Sequence, residues 1–105
     1  AGVVPITSER YPAVRPEQRQ VEDRINPYHF IDRLFEHMQG DDIIACGNAT
    51  ATIVPFQAGR LRHGMRLFSN SGSASMGYDL PAAIGAWFGA LAERGRQKRV
   101  VCLAG

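Results

Sequence analysis

The chain has 105 residues, of which 45% are hydrophobic and 21% are charged, a composition typical of one globular domain with a modest core. Its formal charge of +2 comes from scattered basic residues, and no apolar run is long enough to span a bilayer, so neither a nucleic-acid partner nor a membrane is expected. The two cysteines have no metal-binding spacing, and no signal peptide is present, which indicates a reduced, cytoplasmic protein.

The amino-terminal part of the chain is predicted to be a linker. Residues 1–24 hold three of the six prolines, many charges and no periodicity, as expected of an extended interdomain segment. The ordered unit, residues 25–105, begins with a helix that Asn26 caps and Pro27 opens, and Gly40 is expected to end it. Its apolar side chains recur at helical spacing, namely Phe30, Ile31, Leu34, Phe35 and Met38.

Three short segments of the ordered unit are predicted to be strands, at 43–46, 66–69 and 100–103. A short helix is expected at 53–57, and residues 80–94 are apolar nearly all round, which predicts a buried helix. This alternation of helices and strands predicts a doubly wound α/β layer with a parallel sheet.

Ligands bind at the carboxyl ends of parallel strands, so the turns at 47–52 and 70–79, together with whatever follows Gly105, are expected to form a single cleft. In the first turn, Asn48 and Thr50 stand beside backbone amides at a helix start, which suits a diphosphate. The alternative is that Asn48 or Thr50 only caps the helix. The second turn is built from small residues around Met76, which either fills a gap in the core or shapes a ligand site.

Other polar residues are given structural interpretations. The basic group Arg94, Arg96, Lys98 and Arg99 is expected to complement a helix dipole, with nucleic-acid binding as the alternative. Cys46 and Cys102 are predicted to be buried and structural, with reactivity as the alternative. The three histidines have no partner at metal-ligand spacing and are expected at the surface or at helix caps. The 72–77 loop lacks the residues of a P-loop.

The stretch Ser-Ala-Ser-Met-Gly-Tyr-Asp-Leu-Pro-Ala-Ala-Ile-Gly-Ala, residues 73–86, resembles the cofactor loop of thiamine diphosphate enzymes of the acetolactate synthase (acetohydroxyacid synthase) group. The usual form in that group is Gly-Thr-Met-Gly-Phe/Tyr-Gly-Leu-Pro-Ala-Ala-Ile-Gly-Ala. The likeness extends from about Ile25 to Gly105, where Val-Val-Cys-Leu-Ala-Gly resembles the strand that enters the Gly-Asp-Gly metal and diphosphate motif. We therefore expect a truncated C-terminal cofactor-binding domain, inactive by itself.

The resemblance implies roles for particular residues. Asn48, Ala49, Thr50 and Gly105 would contact the diphosphate. The Ala74 carbonyl would accept a hydrogen bond from the pyrimidine amino group, next to Ser75, and the Met76 amide would donate to a ring nitrogen. The Met76 side chain would act as the wedge that folds the cofactor into a V shape. The ligands of Mg²⁺ are expected just after Gly105, with none in this chain.

The sequence also departs from that group at several positions. Asn-Ala-Thr-Ala stands at 48–51 where the group has Val-Gly-Gln-His, so the roles of its glutamine and histidine do not transfer. Asp79 replaces a usual glycine and is expected to cap the following helix. Gly85 and Gly89 are expected to serve helix packing.

The resemblance implies a parent enzyme that decarboxylates a 2-keto acid such as pyruvate with thiamine diphosphate and Mg²⁺, as in branched-chain amino acid biosynthesis. A homodimer or homotetramer would supply the activating glutamate from another domain. Two alternatives stay open: a non-catalytic relative that keeps the fold without the cofactor, and a nucleotide-binding α/β module. Carboligase, decarboxylase and oxidase activities are not distinguished by these residues.

Overall fold

A parallel three-stranded sheet forms the centre of the computed structural model, which describes residues 12–20, 23–95 and 98–105. The strands are β1 (Ile43–Cys46), β2 (Arg66–Ser69) and β3 (Val100–Leu103), and they lie in the order β2-β1-β3. Ile43 is in register with both Arg66 and Val100. The predicted strands and the parallel α/β class are therefore confirmed.

Helices cover both faces of this sheet. Helices α1 (Pro27–Glu36) and α2 (Thr50–Ala58) pack on the face that Ile44 and Cys46 share, and α3 (Asp79–Arg94) packs against β1 and β3. All four residues of β1 are buried, as expected of a central parallel strand. The main hydrophobic cluster consists of Ile31, Phe35, Met38, Ile44, Cys46, Val54, Ala58 and Met65.

Helix α1 begins as predicted but ends early. The Asn26 side chain accepts a hydrogen bond from the Tyr28 amide at 2.9 Å, and Pro27 occupies the first turn. The helix ends at Glu36 rather than at Gly40, because the Arg62 guanidinium binds the last carbonyls of the helix. It donates to the oxygens of Phe35 at 2.9 Å and Glu36 at 3.2 Å.

Helix α2 begins at Thr50, three residues before the predicted start at Ile53. The Ala49 carbonyl accepts hydrogen bonds from Thr52 N at 3.0 Å and Ile53 N at 2.9 Å, so the helical turn is already formed there. Pro55 lies inside the helix and is fully buried.

The prediction that α3 is buried all round is wrong. Ala83 and Ala90 are buried, but Leu80, Ile84 and Phe88 are 60%, 52% and 60% exposed. These three residues are spaced by four and form one stripe. The helix therefore packs on the sheet through small side chains and leaves a large apolar face uncovered.

The basic group after α3 does not act as predicted, in the part that the structure describes. Lys98 is buried, with Nζ 4.0 Å from Asp41 Oδ1. Arg99 pairs with Asp42 and also donates to the His37 carbonyl at 3.2 Å. These two residues therefore stabilise the turn between α1 and β1. The Arg94 side chain and Arg96 lie outside the described parts.

The predicted linker 1–24 is described only in part, since residues 1–11 and 21–22 lie outside the described ranges. Within it, Pro16–Arg19 form one turn of 3-10 helix, and Arg19 Nη2 lies 2.7 Å from Asp32 Oδ2 of α1. The linker role stays a prediction. Among the helices of the described parts, none combines the length and apolar character needed to cross a membrane.

Candidate functional site

The turns that follow the three strands meet at the carboxyl edge of the sheet. Gly47, directly after β1, donates its amide to the Leu103 carbonyl of β3 at 2.8 Å. A Cβ added to Gly105 would lie 3.1 Å from the Asn48 carbonyl oxygen. The Asn48 side-chain amide in turn lies 3.4 Å from the Ala74 carbonyl oxygen in the loop after β2. The expected convergence of the two turns is therefore observed.

A cleft of about 210 Å³ lies between the first two turns. Of the residues predicted to bind a cofactor, Asn48, Ala49 and Ala74 line it. Its other lining residues include Gly47, Thr52, Asn70 and Ser71, which lie in the two turns predicted to form a cleft but were not assigned individual contacts. Ile53 lies just outside the predicted turn and was missed.

Thr50 and Gly105 line a second cleft, of about 200 Å³, on another side of the 47–52 turn. Leu103 and Ala104 also line this cleft, and its other walls are Ala51 and apolar residues of α1 and α2. The structure therefore divides the predicted diphosphate residues. Asn48 and Ala49 face one cleft, while Thr50 and Gly105 face the other.

The 47–52 turn has a strained backbone. Ala49 has φ 54° and ψ −134°, a conformation that non-glycine residues seldom adopt. It is the N-cap of α2, and no side chain caps the helix there. The Thr52 hydroxyl donates to the Gly47 carbonyl and fixes the turn internally. The interpretation of Asn48 or Thr50 as a simple helix cap is therefore wrong.

The 70–77 loop is also strained at an alanine. Ala74 has φ 51°, in the left-handed region, and its amide donates to the Asn70 carbonyl at 2.6 Å. The Asn70 side chain donates to Ser75 Oγ at 3.2 Å. Two positive-φ alanines thus flank one cleft, where their small side chains leave the backbone open to a ligand.

Met76 lies at the outer end of this loop. Its side chain is 85% exposed, so the alternative in which it fills a gap in the core is wrong. The side chain is therefore accessible, although Met76 is not among the residues that line the 210 Å³ cleft. Its role as a wedge stays a prediction.

Asp79 is a buried carboxylate behind the cleft. It lies in the first turn of α3, one residue after the N-cap Tyr78, so the prediction that it is the cap is off by one position. Its Oδ1 accepts from the Leu80 amide at 2.7 Å, which stabilises the positive end of the helix. A Cβ added to Gly47 would collide with the Asp79 carboxylate, so this close approach requires glycine.

Both cysteines are free thiols; Cys46 is buried as predicted, whereas Cys102 is only half-buried, so the prediction of burial is wrong for Cys102. Burial, with a contribution from Cys102, raises the pKa of Cys46 to about 11. Burial and the nearby Asp79 charge raise the pKa of Cys102. Both thiols therefore stay protonated near neutral pH, which supports the structural interpretation over the reactive one.

Across residues 12–20, 23–95 and 98–105, no three His, Cys, Asp or Glu residues lie together in a group that could hold a metal ion. The expectation that Mg²⁺ ligands follow Gly105 stays a prediction.

Comparison with known proteins identifies the family. Residues 46–105, more than half of the chain, match the model of the thiamine pyrophosphate enzyme C-terminal TPP binding domain. No curated protein matches the chain. The matched region begins at the last residue of β1 and contains both turns that line the cleft. The chain therefore belongs to the thiamine pyrophosphate enzyme family, as part of its C-terminal TPP-binding domain.

Proposed function

We propose that the chain binds the pyrimidine and diphosphate of thiamine diphosphate in an acetolactate synthase-like enzyme that decarboxylates a 2-keto acid such as pyruvate. One observation carries the proposal: the two turns meet in one cleft, and each presents a positive-φ alanine to it. Small side chains at both positions allow a flat heterocycle to reach the backbone.

The diphosphate is assigned to the 47–52 turn. The first amides of α2 have no carbonyl in a preceding turn to bind, and a helix start attracts anions. Asn48 and Thr50 would add an amide and a hydroxyl from the two clefts that flank this helix start, and Gly105 adjoins Asn48. Mg²⁺ would be held by an aspartate and an asparagine that follow Gly105, as the resemblance implies.

The pyrimidine is assigned to the 70–77 loop. The Ala74 carbonyl would accept from the pyrimidine amino group, the Met76 amide would donate to a ring nitrogen, and Ser75 would lie between them. When bound, the cofactor supplies a carbanion and an electron sink for decarboxylation. The exposed Met76 side chain would hold the bent cofactor conformation, which places the reacting groups together without adding a charge.

The activating glutamate would come from another domain, across the interface of a homodimer or homotetramer. This proposal follows from the resemblance alone.

The test is a calorimetric titration of the full-length protein with thiamine diphosphate and Mg²⁺, and separately with ATP and NAD. We expect saturable binding of thiamine diphosphate only, followed by release of carbon dioxide from pyruvate. Binding of ATP or NAD in its place would identify a nucleotide-binding module. Binding of none of them would identify a non-catalytic relative. Either result contradicts the proposal.

A further inference from the structure

Asn48 connects the two turns of the cleft through a polar side-chain contact. Its Nδ2 lies 3.4 Å from the Ala74 carbonyl oxygen, although the two residues are 26 positions apart in the chain. Both residues line the same cleft. Valine stands at this position in the acetolactate synthase group, and a valine side chain has no donor to offer.

The Ala74 carbonyl needs such support because its backbone is strained. At φ 51°, an alanine is less stable than in the right-handed region, so contacts around it must hold this conformation. On its amide side, Ala74 N donates to the Asn70 carbonyl at 2.6 Å. On its carbonyl side, the described contact is the one from Asn48. The two hydrogen bonds therefore hold Ala74 from both sides.

We propose that Asn48 is a positioning residue that holds the Ala74 carbonyl in place for the amino group of the pyrimidine, an inference that rests on the proposed function. A carbonyl oxygen has two acceptor sites, so it can accept from Asn48 and from the ligand together. Asn48 then acts on the pyrimidine through Ala74, in addition to its expected contact with the diphosphate.

Asn48→Asp tests this role with almost no change in shape. The carboxylate has no donor at neutral pH, so it meets the Ala74 carbonyl with two acceptors facing each other. Asn70→Asp is the matched control, because it adds the same charge to the same cleft. The partner of Asn70 is the Ser75 hydroxyl, which can turn and donate to a carboxylate, so that contact survives.

Two probes separate the pyrimidine from the diphosphate: thiamine diphosphate and inorganic diphosphate, each with Mg²⁺, titrated into the full-length protein by calorimetry. We expect Asn48→Asp to weaken binding of thiamine diphosphate about tenfold more than binding of inorganic diphosphate. Asn70→Asp should weaken both by the same factor, since only charge repulsion is added.

Equal weakening of the two probes by Asn48→Asp would overturn the inference and leave Asn48 as a diphosphate contact only. If Asn48→Asp does not fold, Asn48→Ala is used in its place. We expect it to weaken binding of thiamine diphosphate about fivefold more than binding of inorganic diphosphate. Failure of the proposed function is visible separately in the unaltered protein. In that case thiamine diphosphate would bind no more tightly than inorganic diphosphate.

Discussion

The two ends of the sheet use polar groups in different ways. At the amino end, Asp42 precedes β1 and Arg99 precedes β3, and Arg99 Nε lies 3.1 Å from both carboxylate oxygens. Asp42 also accepts from the Gln39 amide at 2.7 Å. At the carboxyl end, small residues and backbone groups form a cleft, and two alanines have positive φ.

This difference separates stability from binding. Charged groups at the amino end bind one another and the ends of helices, so their hydrogen-bonding capacity serves the fold. The backbone at the carboxyl end is held in strained conformations beside a cleft, as is common where ligands bind. Substitutions at the amino end should therefore lower the free energy of unfolding, and those at the carboxyl end should lower activity.

The largest expected effects come from substitutions of two methionines that lie at opposite ends of the sheet. Met76→Ala should reduce the proposed decarboxylase activity about 100-fold through misplacement of the cofactor, yet change the free energy of unfolding by less than about 0.5 kcal/mol, because the side chain is 85% exposed. Met65→Ala, just before β2, is the matched control. It should destabilise the fold by about 2–5 kcal/mol, because Met65 is 8% exposed and packs in the core.

Urea denaturation and steady-state kinetics on both variants measure these effects. If the Met76 variant lost as much stability as the Met65 variant, the separation of stability and binding between the two ends of the sheet would be contradicted.

The next effect concerns the ion pair at the amino end. Asp42→Asn should lower the free energy of unfolding by about 2 kcal/mol. The buried Asp42 carboxylate accepts hydrogen bonds from Arg99 and from the Gln39 amide, and a neutral side-chain amide is a weaker acceptor for both. Affinity for thiamine diphosphate should not change, since Asp42 lies at the opposite end of the sheet. Urea denaturation with calorimetric titration of the folded variant checks both statements.

The same pair gives a pH dependence with a defined sign. Burial would raise the pKa of Asp42, but its hydrogen bonds and the positive charge of Arg99 outweigh burial and hold the pKa below its ordinary value of 3.8. The stabilisation is therefore complete above the ordinary pKa and is lost as pH falls below it. The stability difference between the unaltered protein and Asp42→Asn should be constant from pH 7 to 5 and shrink toward pH 3. A difference that grows on acidification would contradict the assignment.

The smallest expected effect is on the free energy of unfolding, which alanine-to-glycine substitutions at two positions should change in opposite directions. Ala74→Gly should stabilise the fold by up to about 1 kcal/mol, since glycine adopts positive φ without strain. Ala92→Gly, on the exposed side of α3, should destabilise by about 1 kcal/mol, because glycine is a poor helix former. Thermal unfolding of the two variants measures the difference, and destabilisation by both would show that Ala74 is not strained.

Local sequence signals predicted the strands and the start of α1 correctly. The alternation of apolar segments and the Asn26-Pro27 pair act within a few residues, so they can be read from the chain alone. The end of α1 was missed because it depends on Arg62, which is more than twenty residues away. The burial of α3 was overestimated because apolar composition does not reveal whether a neighbour covers Leu80 or Phe88.

At the site, the sequence predicted Asn48, Ala49 and Ala74 as residues near one ligand. It could not predict that Asn48 would contact Ala74, or that the Asp79 carboxylate would lie against Gly47, because each pair joins two turns distant in sequence. Exposure separated the two interpretations of Met76, and only the folded chain provides that information.

The strand order also determines when the cleft can form during synthesis. The central strand emerges first, but Ile43 pairs with Arg66, 23 residues later, and with Val100, 57 residues later. At a translation rate of 5–20 residues per second, β1 waits about 1–5 s for its first neighbour and about 3–11 s for its second. Until β2 emerges, the apolar segment Ile-Ile-Ala-Cys has two unpaired edges, and one of them stays unpaired until β3 emerges. Gly47 gains the Leu103 carbonyl as its partner only after β3 docks, so this hydrogen bond at the carboxyl edge of the sheet forms last.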